Sequence, residues 1–497
     1  MMRTNSLGGA ADGAPMPFGA QAGAWEPPST GVVRLPELAR LGVQLLVVGS
    51  LFTGLPGPAG LGELRAEGAL IGSALIVLFA ALSGVAFDAR GARAVLIFLP
   101  LAACILLSYA INADEVATAH FLGRQGPEKF LNSLLVLGFY LSFFYSLLCI
   151  ANVYGVSRVL SAASAAARVA ALLLVLEMGV EIVTWFVPPL RDVWSSARHM
   201  WAGKTPASLY RLVGFAPEPS FAAITALGFL GLLAGDATRG GWRGEASKSR
   251  SRLVVFLIVA LVAFELLANS RTFFAGAFGA GLAWLLIGPA RRLPASLRAG
   301  LLVLAPLALQ AVLIWAVVAA APGTRSVSNI TRSVGMVAAT QVWSDHPLLG
   351  VGLGQYGFHF RGGVPSWGVQ SWEVSRYFRT AEYDKLNGLP PSFSLFTRLG
   401  AELGLIGFLA WILPPMYAIR RALILRPGPL TSIMVFALVA QVWTGLSLDS
   451  FRNVYYWLWL ACLLAWPGQN NLPFSEVTTF RRREVTDVGV GNWGRAI

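Results

Sequence analysis

The chain has 497 residues, 56% of them apolar and only 13% charged, about half the charged fraction of a typical soluble domain. That balance excludes a soluble enzyme, a disordered tail protein and a disulfide scaffold, and it leaves a polytopic membrane protein, a class in which the abundant glycine (53) and tryptophan (16) are at home. The formal charge of +13 calls for no nucleic-acid partner, because Lys and Arg retained in cytoplasmic loops raise the charge of any multi-pass protein.

In chain order, residues 1–37 are rich in Gly, Ala and Pro without an apolar run. They read as a flexible cytoplasmic tail, with no signal-peptide pattern. A membrane-crossing helix needs about 20 mostly apolar residues. Candidate blocks lie at 38–55, 68–87, 94–112, 131–152, 168–188, 217–234, 253–269, 273–290, 299–321, 399–419, 430–448 and 453–467. The expected fold is therefore an all-α polytopic membrane protein of about 12 transmembrane helices. Nine lie within 38–321. A large, partly helical periplasmic loop spans 322–398, three more helices lie within 399–467, and a cytoplasmic tail covers 468–497.

Orientation follows from the basic residues. With the amino terminus inside, the short inner loops hold Arg90 and Arg93, Arg158 and Arg168, Arg291 and Arg292, and Arg420 and Arg421, while short outer loops are poorer. The positive-inside rule then places both termini in the cytoplasm. Cys104, Cys149 and Cys462 lie far apart inside apolar blocks; they suit neither a metal site nor a disulfide framework, and read as small core residues.

Two outer segments, about 189–216 and 322–398, are long for membrane loops, and the second is too long for a structureless connection without a task. It carries Arg325, Arg332, Arg361, Arg376, Arg379, Lys385 and Arg398 among aromatics that include Tyr356, Trp367 and Trp372. Guanidinium forks bind phosphate oxygens in pairs, and flat aromatic faces suit sugar rings. An interfacial belt of Trp, Tyr and Arg at the headgroups accounts for the same composition.

Arg271, in Asn269-Ser270-Arg271-Thr272 between two apolar blocks, either faces a cavity or partner or extends to the outer headgroups. Glu177 and Glu181 stand one turn apart in the fifth block, which favours a shared proton or a basic partner. In Pro217-Glu218-Pro219-Ser220, proline opens a helix whose positive end favours Glu218. Gly350, Gly352 and Gly354 make a compact turn that could offer backbone N–H groups to a phosphate. His346 has no histidine or cysteine near it in sequence, so no metal is expected there. Asp114-Glu115 is a weak candidate for a divalent cation and reads better as a solvated acidic pair.

Taken together, Pro217-Glu218-Pro219-Ser220, Asn269-Ser270-Arg271-Thr272, the run from Trp343 through His346 to Gly354, and Arg398-Leu399-Gly400-Ala401-Glu402-Leu403-Gly404 resemble, in their order, the O-antigen ligase/polymerase family of bacterial inner-membrane proteins. The resemblance covers roughly residues 200–420. It implies a helical bundle of the large membrane glycosyltransferase class that needs no cofactor and no metal. Such an enzyme uses a polyprenyl-pyrophosphate-linked oligosaccharide at the periplasmic face, among membrane lipids, with a chain-length regulator and a flippase as candidate partners.

On that reading Arg271, supported by Arg211, Arg325 and Arg332, would hold the pyrophosphate. Glu218, Glu181 and His346 are candidate bases, and Tyr356, Trp367 and Trp372 would meet the glycan. Ligases of the family commonly offer a histidine just before the helix that here starts near 399, whereas this chain reads Gly388-Leu389-Pro390-Pro391-Ser392-Phe393-Ser394. That favours a polymerase over a ligase. A glycolipid transporter is the alternative from another class, and it would need charged groups along a two-sided path.

Overall fold

A computed structural model describes residues 35–54, 67–87, 89–202, 212–239, 245–288, 291–320, 327–379, 389–425 and 428–466. Residues 1–34 of the expected amino-terminal tail, the expected carboxyl tail and the candidate ligands Arg211 and Arg325 lie outside them, whereas the tail's last residue, Glu37, opens α1. The chain runs through α1 (Glu37–Gly49), α2 (Ala69–Leu82), α3 (Ala89–Val95), α4 (Leu99–Ile111) and α5 (Ala113–Thr118). A two-residue hairpin follows, with β1 (His120–Phe121) antiparallel to β2 (Arg124–Gln125). Next come α6 (Gly126–Tyr154), α7 (Val156–Phe186), α8 (Pro188–Ala202), α9 (Pro219–Arg239), α10 (Glu245–Ala268), α11 (Arg271–Ile287) and α12 (Ala295–Ala320). The chain then forms α13 (Val327–Asp345), α14 (Tyr356–Gly363), α15 (Trp372–Ser375), α16 (Leu395–Ile424), α17 (Pro429–Trp443) and α18 (Val454–Ala465).

Each apolar block expected from sequence overlaps a helix among the described residues. Among the described residues, eight helices are long and apolar enough to cross a bilayer, in α3–α4, α6, α7, α9, α10, α12, α16 and α17. The other four blocks form α1, α2, α11 and α18, of 13, 14, 17 and 12 residues, each shorter than the roughly 20 residues of a straight span.

The packing identifies a helical membrane protein. All residues of α18 are buried, and Trp457 packs against Tyr140, Phe144 and Trp411. Helix α9 lies close on α18 because a Cβ at Gly228 would enter the Tyr455 ring. Outer faces are apolar too: Leu106, Leu131, Leu135, Leu176, Phe256, Phe274 and Phe278 are all exposed. Contiguous apolar surface on this scale is costly in water and natural in lipid.

Helix α16 is broken at Gly404, where φ is +63° and ψ −166°. A Cβ there would enter the backbone of Leu348, so the 347–352 segment lies directly on the break. Val351 and Gly352 N–H donate to the carbonyls of Ala401 and Glu402, and Leu405 N–H donates to Pro347 O. The same segment reaches α4: the Ser108 hydroxyl donates to Leu349 O at 2.7 Å and the Asn112 amide to Gly350 O at 3.1 Å. Helices α13 and α14 share a second apolar cluster built from Val334, Ala338, Val342, Tyr356, Phe360, Val374 and Tyr377.

Candidate functional site

Five chain junctions come together near the starts of α9 and α11. Helix α9 opens with Pro219, whose fixed φ suits a first helical turn. The Glu218 carbonyl accepts from Phe221 and Ala222 N–H, and its half-exposed side chain stands at the positive end of the helix. Helices α10 and α11 are joined by Asn269 and Ser270 alone. Asn269 has φ +49°, a left-handed conformation that asparagine tolerates better than most residues. This tight turn makes Arg271 the first residue of α11, with its side chain exposed.

The Arg271 guanidinium donates to the Asn329 side-chain oxygen in the first turn of α13. Arg332 follows three residues later, on the same face of that helix. Its guanidinium lies 4.0 Å from the Glu218 carboxylate and 5.2 Å from the centroid of the Phe393 ring. Phe393 has φ +59°, a strained conformation for a bulky residue. Its neighbours hold it there: Ser392 donates from its N–H and its hydroxyl to the Asp449 carboxylate, and the Ser394 hydroxyl donates to Gln310 Oε1 and Gly445 O. Thr272 and Ser447 share a hydrogen bond of 2.7 Å, tying α11 to the same α17–α18 junction.

Around this centre, other cations are committed to structure. Arg398 donates to Glu402 at 3.0 Å and to Asp449 O at 2.7 Å, over the Phe451 ring. Arg361 donates to Tyr377 O from two nitrogens. Arg452 pairs with Glu67 at 3.3 Å; burial raises the Glu67 carboxyl above the usual range, against the downward pull of Arg452.

The structure thus gathers Arg271, Arg332 and Glu218, and it corrects several other expectations. His346 does not join them. It follows the far end of α13, about 24 Å from Asn329 at 1.5 Å per residue, and its ring lies 6.1 Å from that of His359. It therefore has a histidine neighbour that linear spacing conceals. His359 in turn lies 3.6 Å from Glu115. Burial holds His359 below its ordinary pKa of 6.5; Glu115 pulls it up and His346 adds to the depression. Among the described residues no group of three or more His, Cys, Asp or Glu side chains could hold a metal ion.

Tyr356 is unsuited to stacking on a sugar: it is 3% exposed and its hydroxyl donates to Gly335 O. Trp367 is partly buried against the α13–α14 cluster, and Trp372 is 60% exposed. The glycine turn offers no free cradle, because Gly350, Val351 and Gly352 N–H groups all donate to protein carbonyls. Glu181 has the basic partner foreseen for the acidic pair, Arg198 at 2.9 Å.

Asn329, Phe393 and Asp449 were not foreseen. Asp449 had a signal, since it lies between two apolar blocks just as Arg271 does; the conformation of Phe393 had none. Chemically, two forked cations brought near the first turns of α13 can bind a dianionic or trianionic group, and Glu218, beside Arg332, can accept a proton. Compared with family models, with curated proteins and with solved structures, the chain matches none.

Proposed function

We propose that the protein is a polysaccharide polymerase that joins O-antigen or exopolysaccharide repeat units, using a polyprenyl-pyrophosphate-linked glycan as donor. The observation that carries this reading is the contact of Arg271 with Asn329, one turn before Arg332 on α13, together with Glu218 beside Arg332. In the proposed reaction the bond from the anomeric carbon to the pyrophosphate oxygen breaks, and its electron pair leaves with the polyprenyl pyrophosphate. The acceptor hydroxyl oxygen bonds to the anomeric carbon, and its proton passes to Glu218. Arg271 and Arg332 stabilise the charge that grows on the leaving group.

On this reading twelve helices cross the inner membrane, both termini are cytoplasmic and the site opens to the periplasm. The ordered motifs from Glu218 to Gly404 support the family assignment, and the stretch 389–394, without a histidine, supports polymerase over ligase. The test is the surface glycan of a deletion strain, complemented with wild type or Arg271→Ala. A polymerase leaves single repeat units when deleted. Long chains stranded on the lipid carrier would indicate a ligase, and elongation by purified protein would exclude pure transport. Arg271→Ala should lower elongation by about 10²–10³-fold while the protein still inserts. Arg271→Lys should stay weak, because a point charge lacks the fork.

A further inference from the structure

The segment leading into Glu218 is gripped at Val213, Gly214 and Ala216 by a buried ion pair that takes no part in the proposed chemistry. Glu181, on α7, accepts from Val213 N–H at 3.0 Å and Gly214 N–H at 3.2 Å through Oε2. Its Oε1 accepts from Arg198 Nη1 at 2.9 Å, and Arg198 Nη2 donates to Ala216 O at 2.9 Å. Gly214 makes the turn with φ +59°. Three points of the 213–216 backbone, at Val213, Gly214 and Ala216, are therefore tied to one carboxylate–guanidinium unit, and Glu218 follows two residues after the last of them.

Both side chains are almost completely removed from solvent, at 6% and 2% exposure for Glu181 and Arg198. A buried pair of this kind is a poor source of stability compared with apolar residues of similar volume, and its best-attested use is to specify one arrangement. Glu177 stands one turn away at 3% exposure, with neither oxygen hydrogen-bonded among the described residues. The carboxylate that grips the segment is thus Glu181 alone.

We infer that Glu181 and Arg198 are positioning residues for Glu218, an ion pair that sets where the 213–218 segment enters α9 and so holds the carboxylate beside Arg332. The inference rests on the reading of Glu218 as proton acceptor. Its test uses the purified full chain with Glu181→Leu and Arg198→Met combined, which removes both charges of the gripping pair together. Arg198→Lys serves as a milder second variant, since a point-charge ammonium lacks the rigid fork with which Arg198 reaches Glu181 and the Ala216 carbonyl from two nitrogens.

Amide hydrogen exchange at 213–218 should rise by about tenfold or more in the double variant, with the rest of α7 and α9 unchanged. The kcat for elongation of lipid-linked repeats should fall about tenfold while the donor KM stays within about twofold, because Arg271 and Arg332 are untouched. Arg198→Lys should fall between. Unchanged exchange at 213–218 overturns the inference, as does raised exchange with an unchanged kcat. If wild type elongates nothing, the polymerase reading falls by itself, and the exchange result alone decides whether the pair holds the segment.

Discussion

The guanidinium of Arg332 sits 5.2 Å from the centroid of the Phe393 ring, and Phe393 holds a φ of +59° to present that ring. The two residues lie on separate elements, the first on α13 and the second on the strap before α16. Strain of this kind, of order 1–3 kcal/mol, persists only where the surroundings over-determine it. The bonds of Ser392 and Ser394 supply that constraint.

Replacing Phe393 by Leu keeps the bulk and removes the π face under Arg332. A cation–π contact contributes about 0.5–2 kcal/mol, so on the proposed polymerase reading the donor KM of the purified protein should rise about 2- to 30-fold. An unchanged KM would mean that the ring does not orient Arg332 for the donor.

Gly404→Ala should be among the most damaging single substitutions. The new Cβ would need a positive φ and would enter the Leu348 backbone, so a loss above about 3 kcal/mol is expected from strain and displacement together. Gly179→Ala on α7 is the control. Nothing stands within 4 Å of its added Cβ, and removing a mid-helix glycine should gain about 0.5–1 kcal/mol. Thermal melting in detergent distinguishes the two.

His359 gives the stability a pH dependence of known sign. Its folded pKa lies below the ordinary 6.5, chiefly through burial, so the unfolded chain takes up the proton first as pH falls. The contribution is present above about pH 6.5 and is lost on acidification towards the lower folded value. Wild type should lose melting temperature relative to His359→Gln between about pH 7.5 and 5.5. Glu115→Gln should deepen the loss, since it removes the one charge that pulls His359 upward. A wild-type advantage that grows on acidification would contradict the assignment.

Tyr356 and Trp372 should behave oppositely. Tyr356→Phe removes a buried bond to Gly335 O and should cost about 1–2 kcal/mol of stability with little change in KM. Trp372→Ala removes an exposed ring and should leave stability within about 0.5 kcal/mol. If that ring meets the glycan, its donor KM rises by several-fold; equal KM values in the two variants would remove Trp372 from the site.

Most of the helical layout was legible because length and apolarity alone decide where a bilayer helix can form. Block 131–152 is α6, with its end set by Gly155, and block 217–234 is α9, opening at a proline. The break in α16 was not legible, since Gly404 adopts its conformation only when residues 347–352, far away in sequence, lie against it. The same division holds at the site. Arg271 stood out because a charge between two apolar blocks needs a reason. Its partner Asn329 depends on where α13 folds, and the length of that helix is what removes His346 from the group. Glu177 and Glu181 were readable as one face of a helix, whereas Arg198, on the next helix, was not identifiable as the partner.

The bonds from α4 to the 347–352 segment also impose an order on biogenesis. Ser108 and Asn112 are separated from Leu349 and Gly350 by 241 and 238 residues. At synthesis rates of about 5–20 residues per second, these two polar side chains wait roughly 10–50 s after leaving the ribosome before their acceptors exist. An insertion intermediate truncated before residue 347 therefore holds α4 with the Ser108 hydroxyl short of its Leu349 acceptor and Asn112 bonded only to Ser108 O within the helix, a substrate for membrane quality control.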